Sequence, residues 1–133
     1  MSSSLLNRAG ATYLCGSVEE LKIAAAAGAG ETPWTLSGLS GIRRLTTDAE
    51  GPEAGPYVVY TGDHHRLLRR LAHMAPCRPE DADLIVVPYT SDLDVDAFDD
   101  GGIRVVAPIQ TLVDAFGIGG ALADEAETIA RSW

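Results

Sequence analysis

Lysine is almost missing from this 133-residue chain: Lys22 is the only one, beside nine arginines. Bases total 10 against 19 acids, for a formal net charge of −9. That balance excludes a free-standing nucleic-acid module, which collects phosphates with a broad basic face. Long hydrophobic runs are also absent. The longest apolar stretch falls far short of the ~20 residues a membrane span needs, and no charged-then-apolar leader opens the chain. A cytoplasmic protein that tightly binds neither membrane nor duplex DNA is expected. Cysteine is limited to Cys15 and Cys77, without metal or redox spacing and each beside apolar residues, which predicts buried free thiols in a reducing cytosol.

The usual catalytic signatures are missing too. No G-x-S-x-G is present, and the three histidines (His64, His65 and His73) crowd into one segment. Gly28 and Gly30 follow a helical stretch where a dinucleotide fingerprint would follow a strand. No catalytic residue, cofactor or metal is assigned on these grounds.

What the chain does have is a core. At 46% hydrophobic and this length, it has the material for one packed domain across 1–133. "ATYLC" (11–15), "YVVYTG" (57–62) and "LIVVPY" (84–89) read as strands. "SVEELKIAAAAG" predicts a helix over 18–27, with Ser17 and Glu20 as a capping box. In "WTLSGLSGIRRL", Trp34, Leu36, Leu39, Ile42 and Leu45 fit a helical stripe interrupted by Gly38 and Gly41. A flexible loop is expected at 46–56. Asp63 is placed as the N-cap of a helix that carries Leu67, Leu68, Leu71 and Met74 on one face, so 57–89 reads as a βαβ unit. "LDVDAF" alternates, and "DDGG" turns it into "IRVVA" as a hairpin. Helices at 109–117 and 121–132 close the chain, the last burying Leu122, Ala126, Ile129 and Trp133. The sum is an α/β fold: a mixed sheet of four or five strands flanked by helices, with two helices at its C-terminal end.

Three clusters bear on chemistry. Asp63-His64-His65 after a strand has metal-ligand residue types, but no acidic motif on a strand end precedes it, and capping explains Asp63. Asp92, Asp94 and Asp96 have calcium-loop spacing, but Ala97 and Ile103 stand where a Gly and a bidentate Glu belong, which leaves a solvent-facing alternating strand. Arg66, Arg69, Arg70 and His73, spaced i, i+3, i+4, i+7, line one helical stripe opposite the leucines and offer a contact surface for an acidic partner. A rival site would sit at the C-terminal edge of strands 57–61 and 84–88. It would gather Thr61, Asp63, His64, Tyr89, Ser91 and Asp92 for a small hydrolase or a phosphate- or ligand-binding protein.

The passage "GIRVVAPIQTLVDAFGIGG" and the helix after it resemble the end of the AbiEi-type antitoxins, the transcriptional-regulator half of type IV toxin–antitoxin (abortive infection) systems. Ala107-Pro108, Thr111-Leu112, Asp114 and Gly119-Gly120 carry the match, and "WTLSGLSGIRRL" looks like an upstream helix of that family. Gln110 stands where an Arg is common, the basic residue usual in the glycine joint is missing, and nothing reads as the family's winged-helix DNA-binding domain. The resemblance implies a non-enzymatic regulatory or antitoxin-like domain in phage defence. Such a domain acts through contacts with a cognate toxin or another protein, or as a homodimer. On the residues alone, Ile109, Leu112, Val113 and Phe116 are expected to pack inward, with Gln110 and Asp114 sharing the outer face of the same helix.

Overall fold

The computed structural model describes residues 10–46 and 55–133; most of the loop expected at 46–56 lies outside them. The architecture is α/β, as the sequence implies, but the sheet has seven strands where four or five were expected. In chain order they are β1 (Thr12–Cys15), β2 (Trp34–Gly38), β3 (Tyr57–Thr61), β4 (Ala75–Pro76), β5 (Leu84–Pro88), β6 (Phe98–Asp100) and β7 (Ile103–Val105). Across the sheet they run β4-β1-β5-β3-β2-β7-β6. The helices are α1 (Glu20–Ala27), α2 (Leu39–Leu45), α3 (His64–Arg70), α4 (Pro108–Ile118) and α5 (Gly120–Arg131).

The centre is the βαβ unit β3-α3-β5, whose strands pair in parallel from Tyr57↔Leu84 to Thr61↔Pro88. Both strands are near-continuous apolar runs because helices cover both sheet faces. The pleat sends Leu36, Val59, Leu84 and Val86 to one face, against Ile23 of α1 and Leu67 and Leu71 of α3. Val58, Tyr60, Ile85 and Val87 point to the other, with Leu93 and Val106. A third cluster joins Leu39 and Ile42 of α2 to Leu112 and Ala115 of α4 and to Leu122, Ala126 and Ile129 of α5.

Four expectations are corrected. "WTLSGLSGIRRL" is a strand followed by a helix. Gly38 breaks it with φ +66, and a Cβ there would meet Pro56 O at 2.6 Å, so the chain turns where only glycine fits. "LDVDAF" becomes a strand only at Phe98. Before that, Ser91–Asp94 form a 3-10 turn that buries Leu93, and Asp96 takes φ +58. The β6–β7 hairpin itself is present, turned by Gly101-Gly102 at positive φ. Ser17 does not cap α1: Glu19 holds that position without a side-chain bond, and Glu20 instead pairs with Arg44. Trp133 is 64% exposed, beyond the last turn of α5.

The free-thiol expectation also falls. A disulfide joins Cys15, the last residue of β1, to Cys77, just past β4, with Cα atoms 5.9 Å apart. The β1–β4 pairing of Cys15 with Ala75 brings Cys15 beside Cys77, 62 residues away in sequence, a proximity that only the sheet creates. No helix of the described residues is long and apolar enough to cross a membrane.

Candidate functional site

The sharpest departure from expectation is α4. Pro108 occupies its first turn, where a missing N–H costs nothing. From there the helix lies inverted relative to the sequence reading. Asp114, expected outside, is 3% exposed. Ile109, Val113 and Phe116, expected inside, are 62%, 49% and 49% exposed; only Leu112 keeps its assigned place.

The inversion follows from the sheet face beneath. Alternation along β2 sends Thr35 and Ser37 to the side opposite Leu36, where they pair with Tyr60 and Val58 of β3. A hydroxyl-bearing surface needs a polar lid. Asp114 supplies it: Oδ2 accepts hydrogen bonds from Ser37 Oγ at 2.6 Å and Tyr60 OH at 2.9 Å. Oδ1 accepts from Gln110 Nε2, one turn earlier, at 2.8 Å. A buried carboxylate is tolerated when several donors replace its water, and three do so here. Thr111 packs on the same side, against Gly41 of α2; a Cβ on Gly41 would sit 2.3 Å from Thr111 Oγ1. The buried face of α4 thus combines the Asp114 bonds to the sheet with Leu112 and Ala115 packed on α2 and α5, while Ile109, Val113 and Phe116 are turned to solvent.

The arginine stripe is only partly assembled. Arg66 is half-buried, with Nη2 donating to Thr32 Oγ1 at 3.0 Å and Nε 3.9 Å from Asp63. Arg69 and Arg70 are exposed. His73 lies beyond the end of α3, its Nε2 3.0 Å from Ser17 O.

At the C-terminal edge of β3 and β5, Asp63 caps α3 by accepting from Arg66 N at 3.1 Å, while its own N–H bonds to buried Thr61 Oγ1. His64 Nε2 is 2.8 Å from Thr12 Oγ1. Burial, and secondarily the neighbouring His65, lower the His64 pKa, which favours the neutral ring. Tyr89 reaches this edge through its backbone, N–H to Thr61 O at 3.0 Å, but its hydroxyl bonds to Asp94. Burial first, and then that carboxylate, push the phenol up to about 12. Asp94 also faces Arg104 at 3.8 Å. Ser91 and Asp92 are exposed on the 3-10 turn, and among the described residues no side-chain bond links either to Thr61, Asp63 or His64. Nor do three His, Cys, Asp or Glu side chains of the described residues converge as metal ligands would.

A cleft of about 250 Å³ lies elsewhere, between Ser17, Leu39, Arg43, Tyr57 and Asp83. Its polar groups are engaged: Arg43 Nη1 donates to Tyr57 OH at 2.9 Å, and Asp83 Oδ2 accepts from Gly16 N at 2.9 Å. Beside it, Arg44 holds Glu20 with two bonds of 2.6 and 2.8 Å and Asp100 with one of 2.8 Å. That pairing lowers the Glu20 pKa and raises that of Arg44. No protein-family model matches the chain, and neither does any curated protein or solved structure.

The sequence reading missed Ser37 and Tyr60 altogether and placed Asp114 on the wrong face. One signal was available. In "PIQTLVDAFGI", Ile109-Val113-Phe116 (i, i+4, i+7) and Leu112-Ala115-Ile118 (i, i+3, i+6) are two apolar stripes at helical spacing, and the only charge, Asp114, flanks the second.

Proposed function

We propose that this chain is a non-enzymatic, antitoxin-like regulatory domain that works through contact with another protein. One observation carries the reading: α4 turns Ile109, Val113 and Phe116 to solvent at i, i+4, i+7 while polar bonds hold its other face to the sheet. Contiguous apolar side chains on a small domain mark an interaction site more often than a neutral surface. The resemblance of this same segment to the AbiEi-type antitoxins supports the regulatory role. Duplex DNA is not a tight ligand in this reading, given the charge of −9.

The test is a growth-rescue assay. The chain is co-expressed with the product of the gene next to its own. Rescue by the natural chain, lost in a folded Val113→Asp/Phe116→Ser variant, is the expected result. Rescue that ignores the double substitution would remove α4 from the function, and no rescue at all would remove the antitoxin reading.

A second reading has one contact in its favour. Thr12 Oγ1 against a His64 held toward its neutral form is a hydroxyl–imidazole pair of the kind that activates nucleophiles. Turnover of an activated ester that disappears in His64→Ala would establish it; turnover at the buffer rate, the expected outcome, leaves the contact structural.

A further inference from the structure

The inward–outward inversion of α4 names the kind of partner as well as the surface. This inference rests on the protein-contact reading above and specifies its occupant. The outer stripe is uncharged, because the one charged residue of α4, Asp114, is buried beneath it. The helix returning from it is acidic: Asp124, Glu125 and Glu127 stand on α5 against a single base, Arg131, which is spent on Glu127. Leaving out buried Asp114, the α4–α5 hairpin presents three acids and one base, a net −2.

A second copy of the chain is a poor occupant. Two molecules of charge −9 repel, and a net charge this far from zero keeps a small protein monomeric. The exposed area of three side chains also falls short of the ~800 Å² per partner of a standard stable interface. A helix laid along α4 needs less. It matches an i, i+4, i+7 row with its own apolar row, and basic residues on its flanks answer the acids of α5, as e and g positions do in coiled coils. We infer that the stripe Ile109-Val113-Phe116 docks a cationic amphipathic helix of a partner protein, adding a third helix to the α4–α5 hairpin.

Three fluorescent three-heptad peptides test this on the whole chain: one with leucines in an a/d stripe and flanking lysines, one with glutamates in place of the lysines, and a scramble of the first. The lysine amphipath is expected to bind with micromolar affinity that weakens with salt. The glutamate and scrambled peptides should each bind about tenfold or more weaker, and Val113→Asp/Phe116→Ser should weaken the lysine amphipath by about as much. Equal binding of the scramble would reduce the effect to bulk charge and overturn the inference. Sedimentation that finds a dimer, dissolved by the double variant, would hand the stripe to a second copy: the cationic occupant falls, and the protein-contact reading stands. Indifference of peptide binding, sedimentation and growth rescue to the double variant would overturn both.

Discussion

Helices α3 and α4 cover opposite faces of one sheet and obey opposite rules. On α3, leucines enter the core: Leu67, and Leu71 at the helix's C-cap, are 1% exposed against Val59 and Leu84, while Arg69 and Arg70 face water. On α4 a carboxylate enters, and phenylalanine, valine and isoleucine stay out. The sheet explains the difference. Beneath the leucines of α3 the strands offer Leu36, Val59, Leu84 and Val86, and the hydroxyls of Thr12 and Thr61 meet only its N-terminal end, so hydrophobic burial sets the orientation of the helix. Beneath α4, β2 offers Thr35 and Ser37 and β3 offers the hydroxyl of Tyr60. An apolar helix face laid there would strand the hydroxyls of Ser37 and Tyr60, at a cost of about 1–3 kcal/mol each. A helix takes its inward face from what it lands on as well as from its own periodicity.

The comparison breaks first, and hardest, at the two inward anchors. Asp114→Ala leaves Ser37 Oγ, Tyr60 OH and Gln110 Nε2 without their acceptor, and is expected to cost about 3–5 kcal/mol. Leu67→Ala on α3 should cost about 2–5 kcal/mol through cavity formation. Urea denaturation of both separates the mechanisms. Asp114→Ala should also unlock α4, visible as faster amide exchange along Thr111–Ala115, whereas Leu67→Ala should leave that segment protected. A loss under about 1 kcal/mol for Asp114→Ala would return the buried network to irrelevance.

The legible and illegible parts of the chain divide along the same line. The βαβ unit, the Asp63 cap, the hairpin and the two closing helices follow from local signals: apolar runs of strand length, an N-cap before a leucine stripe, paired glycines at a turn, and a proline opening a helix. The split of "WTLSGLSGIRRL" was hidden because the alternation of β2 lasts only from Trp34 to Ser37, and its apolar residues also fit a helical period that runs on into α2. The disulfide and the Asp114 network were hidden for another reason. Cys15 and Cys77 are 62 residues apart, and Ser37 and Asp114 are 77 apart. Their proximity is a property of strand order, which no short window of sequence contains.

A smaller effect is expected where α2 meets α4. Gly41 lets the two helices approach until Thr111 fills the place of a side chain. Gly41→Ala forces a shift there and should cost about 1–3 kcal/mol, despite the higher helix propensity of alanine. A stabilised Gly41→Ala would mean that α4 is free to move outward, and that its inward bonds do not fix its depth.

The two sides are tied by Arg44, which joins α1, packed with α3, to α2, packed with α4, and reaches Asp100 of β6. Because Arg44 holds the Glu20 pKa below its ordinary 4.5, the stability contributed by this clasp is complete at neutral pH and above 4.5. It is lost as pH falls through the lowered value, where the folded state must take up the proton. The stability difference between the natural chain and Glu20→Gln is therefore expected to be constant from pH 7 to about 5, and to shrink in more acid solution. Thermal melts across that range check it, and a difference that grows on acidification would mean that Glu20 is unpaired in solution.

The smallest expected effects lie on the outer faces, and there the two helices should behave alike in stability and differently in binding. Arg69→Ser/Arg70→Ser removes two exposed charges from α3 with no ion pair to break among the described residues, so the melting point should hardly move. Val113→Ser/Phe116→Ser removes far more apolar surface, yet both side chains are about half exposed already, so each substitution should cost well under the ~3–5 kcal/mol of a buried Phe→Ala. The two double variants divide on the lysine amphipath. The α4 pair should lose it, and the α3 pair should keep it, because its charges lie on the opposite side of the sheet. If Val113→Ser/Phe116→Ser unfolds the chain as Leu67→Ala does, the stripe is part of the core in solution. The contrast between the helices would then be one of degree, with α4 burying both its faces.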